Sequence, residues 1–361
     1  MFERKVGLSI FLILCIVVSF LAGYFVSPPK VVEKPVEKRI IRIVDSSGRY
    51  VGVPQPVKGV VALTSDSAEI IRALNASDLL LGVTKYVADG EKAFWKELAE
   101  LPNVGSCFRP DYEKIIELDP DVVIAYVRWA PELEEKLEPH GIKVVRLDLY
   151  KPSMIMHETK ILGLILGREK EAEELCDYWQ NYLNLIESRI RDAEKAGNLT
   201  RLRVYVEGYR EWSTCGIGSG WYELTMMGGG KPVGEFTIPY PKVSAEWVVD
   251  QNPDVIIKFV SSGTVPETYT AESSDLLRQV AESIKARPGL EMVNAVKNDR
   301  VYVIHAEIGS GPRYVVGVAY IAKWLYPDLF KDLKPEEIHA EYLSRFQGLE
   351  YQGFYAYPSP S

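Results

Sequence analysis

Four arginines stand among aromatic residues where apolar runs end. Arg109 follows Phe108, Arg128 lies between Tyr126 and Trp129, Arg210 lies between Tyr209 and Trp212, and Arg313 precedes Tyr314. Aromatic faces stack on flat groups, and guanidinium forks pair bidentately with carboxylate or catecholate oxygens. Residues of these types suit a flat or aryl-bearing anion, such as an anionic metal chelate. The expected ligand-binding set is Tyr86, Arg109, Tyr126, Arg128, Trp129, Tyr209, Trp212, Trp221 and Arg313. The competing reading of the Tyr and Trp positions is core-edge packing.

Other chemistry is thinly represented. His305-Ala-Glu307 and Tyr209 could ligate a metal, but a lone histidine is more often a hydrogen-bonded structural residue. No CxxC or His/Cys spacing marks a structural zinc, so neither a metal nor a cofactor is assigned. Cys107 and Cys215 fall in loops expected on opposite walls of a cleft, and both are read as free thiols. Gly216 to Gly220 and Gly228 to Gly230 lack the Lys-Ser/Thr of a phosphate loop and the context of a dinucleotide fingerprint. No Ser/His/Asp order or paired-carboxylate site emerges, which leaves a binding protein rather than an enzyme.

The chain has 361 residues and a net charge of −8, enough for two domains. No Lys/Arg run tracks a phosphate backbone, so nucleic acid is not expected as a partner. After a short basic start, Val6 to Val26 carries no charge over 21 residues. That is close to the ~20 needed for a membrane helix and long for a cleaved signal. Residues 1–26 therefore read as a retained anchor, with signal cleavage near Ser19, Ala22 and Gly23 as the alternative. Leu14 before Cys15 speaks against lipid attachment there. The positive flank stays inside, which places the rest of the chain outside the cytoplasm. Residues 27–39 form a Pro/charged tether.

The elements that must position these side chains alternate. A hairpin is expected over 40–54 around Ser46-Ser47-Gly48, then strands at 59–64, 79–83, 121–126 and 142–147, with helices between. Such alternation gives a mostly parallel sheet covered on both faces. Glu117-Leu-Asp-Pro-Asp-Val-Val-Ile-Ala-Tyr126 is repeated as Asp250-Gln-Asn-Pro-Asp-Val-Ile-Ile-Lys-Phe259, and 133 residues separate Pro120 from Pro253. That offset suits a duplicated lobe. Between the copies, Leu175, Trp179, Tyr182, Ile186 and Ile190 recur at helical spacing, so 168–195 reads as one helix about 42 Å long at ~1.5 Å per residue. Strands at 201–206 and 299–304 and helices at 314–325 and 335–346 build the second lobe.

These features together resemble the helix-linked (class III) periplasmic substrate-binding proteins of ABC importers, which take ferric siderophores, haem or cobalamin. Val57 to Leu63, Ser67 to Leu74, Leu81-Gly-Val83, Asn103-Val-Gly105, the two Pro-Asp-Val strands, Asn298 to Ile304, Gly311-Pro-Arg313 and Ala322 to Asp328 carry the likeness, over roughly residues 40–346. The resemblance implies two Rossmann-like α/β lobes, 40–167 and 198–347, joined by a helix at 168–197 and followed by a tail at 348–361. It further implies a monomer that closes on a chelate and delivers it to an ABC permease with its ATPase. Ferric siderophore is the leading cargo, with corrinoid (cobalamin) or haem behind and a ligand-sensing receptor domain as rival. One exposed carboxylate per lobe would dock on the permease, and by position these would be Glu69 and Glu246.

Overall fold

β-Branched runs bounded by polar turns become strands buried on both faces. In the computed structural model, which describes residues 39–359, they form two parallel sheets. In the first lobe, β1 (Arg39–Val44) and β2 (Tyr50–Gln55) pair as an antiparallel hairpin. Next come β3 (Val60–Ala62) and β4 (Leu80–Val83), with helix α1 (Ser65–Ala73) between them. The short strands β5 (Gly105–Ser106) and β6 (Arg109–Pro110) precede α2 (Tyr112–Leu118), β7 (Val122–Ala125) and β8 (Lys143–Arg146). The main sheet runs β4-β3-β7-β8, all parallel.

The second lobe repeats the plan. β9 (Arg203–Glu207), β10 (Lys231–Pro232), β11 (Val255–Val260), β12 (Val301–His305) and β13 (Ala356–Tyr357) order as β10-β9-β11-β12-β13. β13 alone is antiparallel. The segment expected to be a tail thus closes the sheet edge, and Trp324 Nε1 donates to the Pro358 carbonyl at 3.0 Å. An edge strand left bare would invite pairing with another chain, and β13 covers it.

Between the lobes runs α3 (Glu169–Lys195). Its Trp179 is wholly buried and donates to the Pro312 carbonyl at 2.9 Å, while Tyr178 donates to Ile338 at 2.8 Å. Burying each such aromatic contributes on the order of 2–3 kcal/mol, which fixes the helix to its neighbours. α4 (Ala245–Gln251) precedes β11 as α2 precedes β7, and α5 (Tyr314–Leu325) is buried along its whole length.

Strand alternation divides the core. Val60, Ala62, Val122 and Ile124 face one cluster, and Val61, Val123 and Ala125 face another. In the second lobe Val204, Val206, Val255 and Ile257 join that same first cluster, while Tyr205, Ile256 and Val260 face a third. One continuous core therefore runs from the first sheet through α3 to the second. Among the described residues no helix is long and apolar enough to cross a membrane. The anchor expected at 1–26 and most of the tether lie outside the described residues.

Candidate functional site: a cleft between the two sheets

In a parallel sheet flanked by helices, ligands sit beyond the carboxyl ends of the strands. There the structure has a cavity of about 720 Å³. Asp66 at the start of α1, Tyr86 and Tyr126 line it from the first lobe, and Tyr209, His305 and Glu307 from the second. Thr64, the residue ending β3's extension, caps α1 by accepting from Ser67 N at 3.0 Å, so the helix N-terminus faces the cleft. Gly311 sits at φ +64 directly against Asp66, where a Cβ would collide with the carboxylate.

Asp66 accepts a short hydrogen bond from the Tyr126 hydroxyl. Burial pushes its carboxyl up to about 7, and the Glu69 charge adds to this against the opposing pull of Tyr126 and Arg313. Burial also lowers His305, against the opposing pull of Glu307, and its Nδ1 accepts from Glu307 N at 3.3 Å. Both lobes are fastened at one end of the cleft. Glu91 accepts from the backbone amides of Thr268 at 3.0 Å, Tyr269 at 3.2 Å and Thr270 at 2.8 Å. Burial alone would raise the Glu91 carboxyl, but these amides hold it below its ordinary value.

The expected binding residues separate into groups. Tyr86, Tyr126 and Tyr209 line the cavity. Trp221 backs it, 8% exposed and stacked on Phe259 at 5.3 Å, with Tyr209 edge-on at 4.9 Å. Trp129 is exposed with Phe108 at 4.8 Å, and Arg109 and Arg128 are exposed, but none of the three lines the cavity. Trp212 packs on the second lobe's outer core with the Arg287 guanidinium 4.8 Å above its ring. Arg210 also lies in solvent.

Burial sets two of the expected site residues apart. Arg313 is one of the residues expected to supply positive charge to an anionic ligand. It is 3% exposed, with Nη2 donating to Glu69 at 3.2 Å and Nη1 to Glu307 at 3.2 Å, so its charge is already matched. Glu69 is the carboxylate that the resemblance places on the docking surface of the first lobe. It is also 3% exposed, and Tyr342 donates to its Oε1 at 2.9 Å. A carboxylate committed to those partners offers nothing to an outside arginine.

Glu246 is exposed in the first turn of α4, behind the Ser244 cap. The matching position in the first lobe is Glu113, exposed in the first turn of α2 behind the Asp111 cap. The 133-residue offset of the repeat leads from Glu246 to Glu113, and that signal was present in the sequence. Each helix precedes a parallel strand, so its N-terminus lies at the carboxyl edge of its sheet, the edge on which the cleft opens.

No disulfide joins Cys107, Cys176 or Cys215; all three are buried free thiols. Burial pushes Cys107 up to about 11 and the other two up to about 12. Among the described residues no group of His, Cys, Asp and Glu could hold a metal ion.

Comparison with known proteins agrees with this architecture. An ABC transporter substrate-binding lipoprotein of Bacillus subtilis, YvrC, is 26% identical over 298 residues, covering 81% of this chain and 87% of its own. A vitamin B12-binding protein of Vibrio parahaemolyticus is 24% identical over 205 residues, 56% of this chain and 70% of that one. The molybdate-bound MolA of Haemophilus influenzae superposes with a TM-score of 0.71 at 21% identity, over 87% of this chain and 99% of that one. The TroA-like FepB of Veillonella parvula superposes with a TM-score of 0.70 at 23% identity, over 88% and 99%. The periplasmic binding protein profile matches residues 60–308, which is most of the chain, and the chain belongs to that family of ABC transporter substrate-binding components.

Proposed function

We propose that this protein is the extracytoplasmic capture subunit of an ABC importer. It holds a metal chelate between its lobes and delivers it to a permease driven by an ATPase. The observation that carries this reading is the cavity of about 720 Å³ between two sheets, walled by tyrosines and polar groups from both. Pockets of ~300–1,000 Å³ hold small organic ligands, and a compact chelate falls in that range. Ferric siderophore remains the leading cargo. Corrinoid follows, supported by the relatives named for vitamin B12. Tyr86, Tyr126 and Tyr209 are the proposed contact residues, with Trp221 behind them.

Delivery requires a surface that both lobes present together. We assign docking to Glu113 and Glu246, the repeat-related exposed carboxylates, in place of Glu69. The lipoprotein relative supports a membrane-associated, extracytoplasmic location. The test is the absorption spectrum and native mass of protein isolated from its own host with ligand retained. An iron charge-transfer band or a corrin spectrum is expected. Protein that carries only an amino acid, a sugar or a bare oxyanion overturns the chelate reading.

A further inference from the structure

The charge of the cleft narrows the cargo, on the reading that this cleft is the capture site. Six carboxylates line the cavity: Asp66, Glu69, Asp89, Glu91, Glu267 and Glu307. Among the described lining residues the only side-chain cation is Lys85, while Arg313 lies just behind Pro312 and Arg72 just behind Trp95. Six carboxylates set against these three cations leave three uncompensated. The N-terminus of α1 adds roughly half a positive charge, which does not reverse that balance. Asp66 is only partly ionised near neutrality, and even without it the sign holds. Asp89 and Glu267 stand exposed on opposite lobes.

The arginines that would have welcomed an anion are elsewhere. Arg109, Arg128 and Arg210 are outside the lining, and Arg313 is matched by Glu69 and Glu307. Field lines in a low-dielectric cleft are focused, so an excess of one sign raises the local concentration of the other. The exposed face of Tyr209 adds to this, because the face of an aromatic ring attracts cations, whereas the Tyr86 ring already carries the Lys85 ammonium at 5.3 Å. We infer that the cleft takes a chelate of positive or zero net charge that presents ammonium or amide donors, and that it disfavours strongly anionic chelates.

The test uses the full-length protein in mild detergent and follows quenching of tryptophan fluorescence, since Trp95 lines the cavity. Four probes separate the cases: a ferric trihydroxamate with a pendant ammonium, a neutral ferric trihydroxamate, aquacobinamide, and a ferric tris-catecholate. At least one of the first three should bind, and the tris-catecholate should bind at least about tenfold more weakly. Replacing both rim carboxylates, Asp89→Asn with Glu267→Gln, should weaken a cationic probe about threefold to tenfold and leave the melting temperature unchanged. Raising salt should weaken the same probe. Tightest binding of the tris-catecholate, or a rim double variant that binds the cation as well as the parent, overturns the charge inference while leaving chelate capture intact. If none of the four binds to folded protein, the chelate reading itself falls, and this inference with it.

Discussion

Replacing Glu69 tests the interior of the cleft directly. Its carboxylate lies 3.1 Å from Arg313 Nε, accepts from Arg313 Nη2 at 3.2 Å and accepts from the Tyr342 hydroxyl at 2.9 Å, all out of contact with solvent. Glu69→Ala would leave a buried guanidinium and a buried hydroxyl short of partners. Breaking a buried pair from one side costs about 3–5 kcal/mol, because the remaining charge stays desolvated. Glu307 still reaches Arg313 at 3.2 Å, which places the expected loss near the lower end, about 3 kcal/mol. At about 2.1 cal/mol/K of unfolding entropy per residue, that corresponds to a fall of about 4–5 °C in melting temperature. Glu69→Gln keeps an acceptor for Tyr342 and should lose about half as much. Glu246→Ala is the control: an exposed first-turn carboxylate should change stability by less than ~0.5 kcal/mol. Urea unfolding and thermal melts of the three variants decide the matter. If Glu69→Ala unfolds at the same midpoint as Glu246→Ala, the reassignment of Glu69 from docking surface to interior is refuted.

Two further outcomes follow from the site. Glu113→Ala with Glu246→Ala should abolish chelate-dependent stimulation of the transporter's ATPase while ligand affinity stays within about twofold; a parallel loss of affinity would show that these residues serve the cleft instead. Asp66 should make stability depend on pH. Its folded value is about 7 against an ordinary 3.8, so folding favours the protonated form. Its contribution is complete below about pH 4 and is lost as pH rises through 7. Relative to Asp66→Asn, the parent protein should therefore lose melting temperature between pH 4 and pH 7 and level off above about pH 8. A difference that stays flat across that range would show that Asp66 is not held protonated.

Much of the fold could be read from local pattern. The β-branched runs at 122–125 and 255–260 and the helical stripe through Trp179 declare themselves within windows of ten to thirty residues, because period and propensity are local properties. The duplicated Pro-Asp-Val strand then gave the two-sheet arrangement. The charge state of the cleft was not legible in the same way. Arg313 and Glu69 stand 244 residues apart, and Tyr342 stands 273 from Glu69. Nothing near Arg313 in sequence announces that its charge is consumed. The same holds for Glu91, whose three amide donors begin at Thr268, 177 residues on. Residues 348–359 looked like a tail because β13 is only two residues long, too short for any periodicity. Glu113 was within reach, since the repeat offset alone leads to it.

The core that passes from one sheet through α3 to the other bears on how such a chain could have arisen. Val60, Val122, Val204 and Val255 belong to one cluster although they come from different copies of the repeat. Helices of the first lobe cover part of that face through Ile70, Ile71 and Leu162, but a single lobe folded alone would leave in water the part that meets α3. A one-lobed chain could cover that part by pairing with a second copy of itself. Joining two such copies through a helix such as α3 would make the partnership permanent and release the two halves from identity. From that point opposite walls of the cleft could diverge, and a ligand without two-fold symmetry could be held.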